Sequence, residues 1–125
     1  LLIQQGHDVI YQAAAKSGLG LFDAVKETGK YAIGVDVNQN DLVPGKVLGS
    51  MVIHYDQWVY QLMQQLKEGT LKGGITWHDL KDGMIGLETA TPDQVQIPDD
   101  VLKKIEDYKQ KIISGEIKVN DVPEK

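Results

Sequence analysis

Asp36 ends the apolar run Tyr31-Ala32-Ile33-Gly34-Val35, and it is the carboxylate best placed in this sequence to do chemistry. A carboxylate just past a buried strand can accept two hydroxyl hydrogen bonds at once, a geometry suited to a ribose diol. Position alone gives equal weight to a second role, capping its own loop. The other stretch with chemical potential is the turn Lys16-Ser17-Gly18-Leu19-Gly20. At the start of a helix such a turn directs backbone N–H groups at a ligand oxygen. It has neither the P-loop ending Gly-Lys-Ser/Thr nor the full Gly-x-Gly-x-x-Gly dinucleotide fingerprint. Ser17 sits in no Gly-x-Ser-x-Gly elbow and reads as a helix N-cap, not a nucleophile. His7, His54 and His78 are far apart, without metal-ligand spacing, and read as surface or structural residues. Asp56 and Glu68 form no acid–base pair, and Tyr11, Trp58 and Trp77, able to stack on a base, read as core aromatics. No catalytic residue, metal ligand or cofactor motif is assigned.

Positioning Asp36 requires a particular set of elements. Val9 to Tyr11 is a short run of β-formers; Leu21, Phe22 and Val25 follow at helical spacing, and Gly29 suits a helix C-terminus. With the strand Tyr31 to Val35 this makes a parallel βαβ unit. Ligands in such sheets bind beyond the carboxyl ends of the strands, here residues 12–18 and 36–41. Leu1 to Gln5 reads as the end of a preceding helix with Gly6 as its cap. Beyond the unit, residues 37–46 read as loop, Val47 to Ile53 as a third strand, and Asp56 as the cap of a helix that Gly69 ends. Ile75 to Trp77 and Met84 to Leu87 read as a hairpin around Asp82-Gly83. A last helix spans Asp99 to Ile113, Gly115 terminates it, and Ile117 to Val119 adds an edge strand. The alternation is that of an α/β fold with three parallel strands and few covering helices.

The 125 residues suit one domain, and 42% hydrophobic content gives it a core. A net charge of −5, with lysine supplying every one of the 13 cations, argues against a nucleic-acid surface. Zero cysteines exclude disulfides and thiolate chemistry. No apolar run approaches the roughly 20 residues of a membrane-spanning helix. The chain opens on Leu1 without a methionine and reads as a piece of something longer, with exposed apolar edges that a second copy could cover.

Several segments, in order, carry a family resemblance. Gly6-His7-Asp8-Val9-Ile10-Tyr11-Gln12-Ala13-Ala14, Ser17-Gly18-Leu19-Gly20, Tyr31-Ala32-Ile33-Gly34-Val35-Asp36, Ser50-Met51, Asp82-Gly83-Met84-Ile85-Gly86-Leu87 and Ile112-Ile113-Ser114-Gly115-Glu116-Ile117-Lys118-Val119 resemble the basic membrane protein (BMP) family of bacterial substrate-binding proteins. The resemblance implies the C-terminal part of a type I periplasmic-binding-protein fold, two α/β lobes with ligand in the cleft. By that analogy residues 1 to about 46 and 99–119 belong to lobe two, and about 47–98 to the crossover and lobe one. It implies a non-enzymatic protein that binds a nucleoside or related small molecule for an ABC-transporter permease, as an extracytoplasmic, membrane-anchored lipoprotein. Asp36 corresponds to the family's ribose-binding aspartate, and Ala14, Ala15 and Lys16, followed by Ser17, to the small-residue turn beside the sugar, where the family usually has glycines. The family's Ser-Met-Leu-Lys reads Ser50-Met51-Val52-Ile53, so Ile53 stands at the sugar-contacting lysine. The alternative within the resemblance is a Med-like regulator, cytoplasmic or membrane-associated, with the same fold and an altered or lost pocket.

Overall fold

A computed structural model describes residues 2–119. Four strands, β1 (Val9–Tyr11), β2 (Tyr31–Asp36), β3 (Val47–Ile53) and β4 (Ile85–Thr89), form one sheet in the order β1-β2-β3-β4. β1–β2 and β2–β3 are parallel, with Ile10 opposite Ala32 and Asp36 opposite Val52. β3–β4 is antiparallel, with Ile53 opposite Ile85. The helices are α1 (Leu19–Thr28), α2 (Tyr55–Glu68) and α3 (Asp99–Ser114). None is long and apolar enough to cross a membrane.

The βαβ unit forms for the reasons its residues suggest. Phe22 and Val25, on one face of α1, are buried against Ala32 of β2, Val43 of the following loop and Val47 of β3. Each large apolar side chain buried this way contributes about 1.5–3 kcal/mol. Gly29 adopts φ +73°, a left-handed conformation, and its N–H is donated back to the Val25 carbonyl at 3.0 Å. That C-cap turns the chain directly into β2. Neither α2 nor α3 contains a buried residue.

The α/β reading holds, and several local expectations change. Ser17 caps no helix: the backbone is already helical at Gly18, so no extended residue precedes α1. Residues Ala15–Gly18 instead coil into a 3-10 turn in which the Ser17 N–H is donated to Ala14 at 3.1 Å. Asp56 lies in the first turn of α2, where its charge suits the macrodipole, while His54 is the N-cap position. The helical end expected over Leu1 to Gln5 is a 3-10 turn over Ile3–Gln5 closed by Gly6 at φ +91°; Leu1 lies outside the described residues. Ile75 and Trp77, 86% and 75% exposed, form no strand. The turn at Gly83 (φ +76°) exists, and it delivers β4 to β3, not to a hairpin partner. Residues 117–119 form no strand: the Ile117 N–H folds back onto the Lys111 carbonyl at 3.0 Å and closes α3. The strands over 47–53 and 85–89 belong to the same sheet as 9–36.

Candidate functional site

Two non-glycine residues among those described have positive φ: Ala15 at +47° and Asp36 at +70°. Left-handed backbone is costly for a residue with a Cβ, and such strain tends to concentrate at ligand sites. Both residues lie at the carboxyl ends of neighbouring strands. At Asp36 the Val37 N–H is donated to Val35 at 2.9 Å, closing a three-residue turn with the aspartate at its centre. At Ala15 the chain enters the 3-10 turn that leads into α1.

These two turns face one depression of about 260 Å³, bordered by Gln12, Ala15, Lys16, Asp36, Val37 and Gln39. The fold therefore brings Ala15, Lys16 and Asp36 together. Asp36 is half-buried there, while Ala15 and Lys16 are exposed. Ala14 and Ser17 border a separate depression of about 400 Å³ together with Tyr11 and Leu21. Gln12 touches both. Ile53, at the carboxyl end of β3, is one residue past the partner of Asp36 and half-buried.

Beneath the depression runs a polar chain that sequence reasoning did not single out. Gln39 Oε1 accepts the Val35 N–H at 2.9 Å and Gln12 Nε2 at 3.3 Å. Gln12 Oε1 accepts the Ala14 N–H at 3.0 Å. The Gln39 N–H is donated to Ser50 Oγ (3.0 Å), which donates to Asn40 Oδ1 (2.8 Å). Asn40 Nδ2 reaches the Glu88 carbonyl of β4 at 3.3 Å. Gln12, Asn40 and Ser50 are buried, where unpaired polar groups are costly, and these bonds satisfy them. Two glycines make room. A Cβ on Gly18 would stand 2.0 Å from Gln12 Oε1, and one on Gly34 would stand 2.5 Å from Ser50 Oγ. The readable signal was the density of Gln and Asn just past the strand ends.

The aromatic and histidine readings also resolve. Tyr11, Trp58 and Trp77 are exposed and not core. His78 pairs through Nδ1 with Asp82 at 2.7 Å and stands edge-on to Trp58, with ring centroids 5.6 Å apart. The Met84 N–H, donated to Asp82 at 3.0 Å, holds that carboxyl below its ordinary value. Burial opposes this, and smaller contributions from His78 and the Asp79 N–H add to it.

Comparison with known proteins gives these elements a context. The sequence model of the family described as ABC transporter substrate-binding protein PnrA-like matches residues 1–122. The transcriptional activator protein med of Bacillus subtilis is 34% identical over 70% of this chain and 28% of its own length. Basic membrane protein A of Borreliella afzelii is 33% identical over 93% of this chain and 36% of its own. Among solved structures, a transcriptional activator of the comK gene from Bacillus halodurans superposes with TM-score 0.83 at 28% identity, over 95% of this chain and 41% of that one. A solute-binding protein of an ABC transporter system from Aeropyrum pernix gives 0.82 at 30%, over 98% and 43%. The chain thus spans less than half of the length of each of these relatives. Its fold is that of periplasmic-type solute-binding proteins, and the chain belongs to the PnrA-like, basic membrane protein family of ABC transporter substrate-binding proteins.

Proposed function

We propose that this chain supplies one side of a cleft that binds a nucleoside or a related small molecule, without catalysis, for uptake through an ABC-transporter permease. The observation that carries the reading is the half-buried Asp36 carboxylate facing the Ala15–Lys16 turn across one depression at the strand ends. A carboxylate there suits a pair of sugar hydroxyls, and Lys16 adds a cation at its edge. In this reading the sheet β1–β4 belongs to one lobe, and the lobe-one share of residues 47–98 narrows to α2 and the segment leading out of it. The whole protein would act outside the cytoplasm as an anchored lipoprotein, as the family resemblance implies.

A second reading has its own support. Ile53 stands at the end of β3, where the family resemblance calls for a sugar-contacting lysine, and an apolar residue cannot serve a diol. Similarity to the Bacillus activators fits a regulator that keeps the fold with an altered pocket.

Calorimetry of the full-length protein against purine and pyrimidine nucleosides separates the two. The transport-type reading expects a nucleoside ligand, with Asp36→Ala weakening it about a hundredfold, the loss of two hydrogen bonds to a charged group. A folded protein that binds none of them overturns that reading and leaves the regulator in front.

A further inference from the structure

We propose that Gln12 and Gln39 are positioning residues, forming an amide relay that fixes the turn carrying Ala15 and Lys16 relative to Asp36; the proposal rests on the ligand reading above. The relay has a forced direction. The Val35 N–H can face only an acceptor, so the Gln39 amide must turn Oε1 toward β2. Gln12 meets that same oxygen and must therefore present Nε2. Its own Oε1 is then left to hold the Ala14 N–H, at the start of the turn. Neither amide can flip without setting donor against donor or acceptor against acceptor.

The geometry joins the two strained points of the site. Val35 immediately precedes Asp36, and Ala14 immediately precedes Ala15, so each end of the relay grips the residue before a left-handed one. Gln12 is 7% exposed, and the absence of a Cβ at Gly18 leaves room for its amide. The Gln39 N–H is tied in turn to Ser50 of β3, which anchors the relay to the centre of the sheet. A site built from two separate loops needs such a brace, because misplacement of about 1 Å is enough to weaken binding or catalysis strongly.

The test uses three variants of the full-length protein and two readouts. Gln39→Glu keeps an acceptor for both the Val35 N–H and Gln12 Nε2. Gln39→Leu removes it. Gln12→Leu cuts the link to Ala14 and leaves the Val35 N–H paired. The first readout is nucleoside affinity by calorimetry: Gln39→Leu and Gln12→Leu lose about tenfold, and Gln39→Glu stays within about threefold of the parent. The second needs no ligand. Amide exchange at Ala14, 25 residues from Gln39 and two from Gln12 in sequence, quickens in Gln39→Leu and Gln12→Leu and stays slow in Gln39→Glu. If the parent binds no nucleoside, the function reading fails and the exchange readout alone decides the relay. Unchanged exchange at Ala14 in Gln39→Leu overturns the relay, as does a Gln39→Glu protein that behaves like Gln39→Leu. Should Gln39→Leu fail to fold, Gln39→Met, which also lacks the oxygen acceptor but keeps an unbranched side chain, carries the same decision.

Discussion

In the ligand-binding reading proposed above, Asp36 combines a chemical role with a conformational cost. At φ +70° an aspartate tolerates the left-handed region better than most residues, yet glycine would occupy it without strain. Aspartate thus stands where backbone conformation alone would favour glycine, which fits the proposed role for its carboxylate. Asp36→Gly is therefore expected to leave stability unchanged or raise it by up to about 1 kcal/mol while weakening ligand affinity about a hundredfold, as Asp36→Ala does. Urea unfolding beside calorimetry reads both quantities, and a variant that keeps its affinity would remove Asp36 from the site. Gln39 shows why part of the site was not legible. Its partners are Val35, four residues back, and Gln12, twenty-seven residues away, and only the β1–β2 register brings the second into reach. Asp36 was legible because its place at a strand end follows from local pattern alone.

At the scale of elements, the sequence was most readable where a periodic apolar face met a glycine stop. α1 with Gly29, α2 with Gly69 and α3 with Gly115 all end on left-handed glycines at the expected positions. Short apolar runs were ambiguous: Ile75 to Trp77 has the composition of a strand but no neighbouring strand with which to pair. The segment leading into β4 is held instead by Asp82, which accepts N–H groups from Asp79 and Met84 and meets His78. Its carboxyl titrates below the ordinary 3.8 in the folded chain, so the folded state binds its proton less readily than the unfolded one. The stabilisation is complete above that ordinary value and is lost as pH falls through the lower, folded one. Asp82→Asn is expected to be less stable than the parent near neutrality, with the gap closing below about pH 4. Thermal midpoints across a pH series check it, and a gap independent of pH would refute the assignment.

The whole molecule is unevenly stabilised. The apolar contacts gather in a small core around Phe22, Val25, Ala32, Val43 and Val47, between α1 and the two central strands. α2 stands apart from it: Trp58, Val59, Met63 and Leu66 are all exposed, and no residue of the helix is buried. A helix of 14 residues with so little tertiary packing, chiefly Trp58 against His78, is marginal in water, because nucleation costs more than so few hydrogen bonds return. Stability within the chain should then fall steeply from sheet to helix, a gradient that the sequence could not reveal, since the amphipathic face of α2 looks the same whether it is covered or not. Hydrogen exchange on the 125-residue chain is expected to rank the amides of β2 and β3 well above those of α2, whose protection should approach that of a free peptide. In a longer protein where this face is covered, α2 should gain protection while β2 and β3 change little. Equal protection of α2 and β2 in the isolated chain would mean that the face is already covered, by a second copy, and a fall in that protection on dilution would identify it.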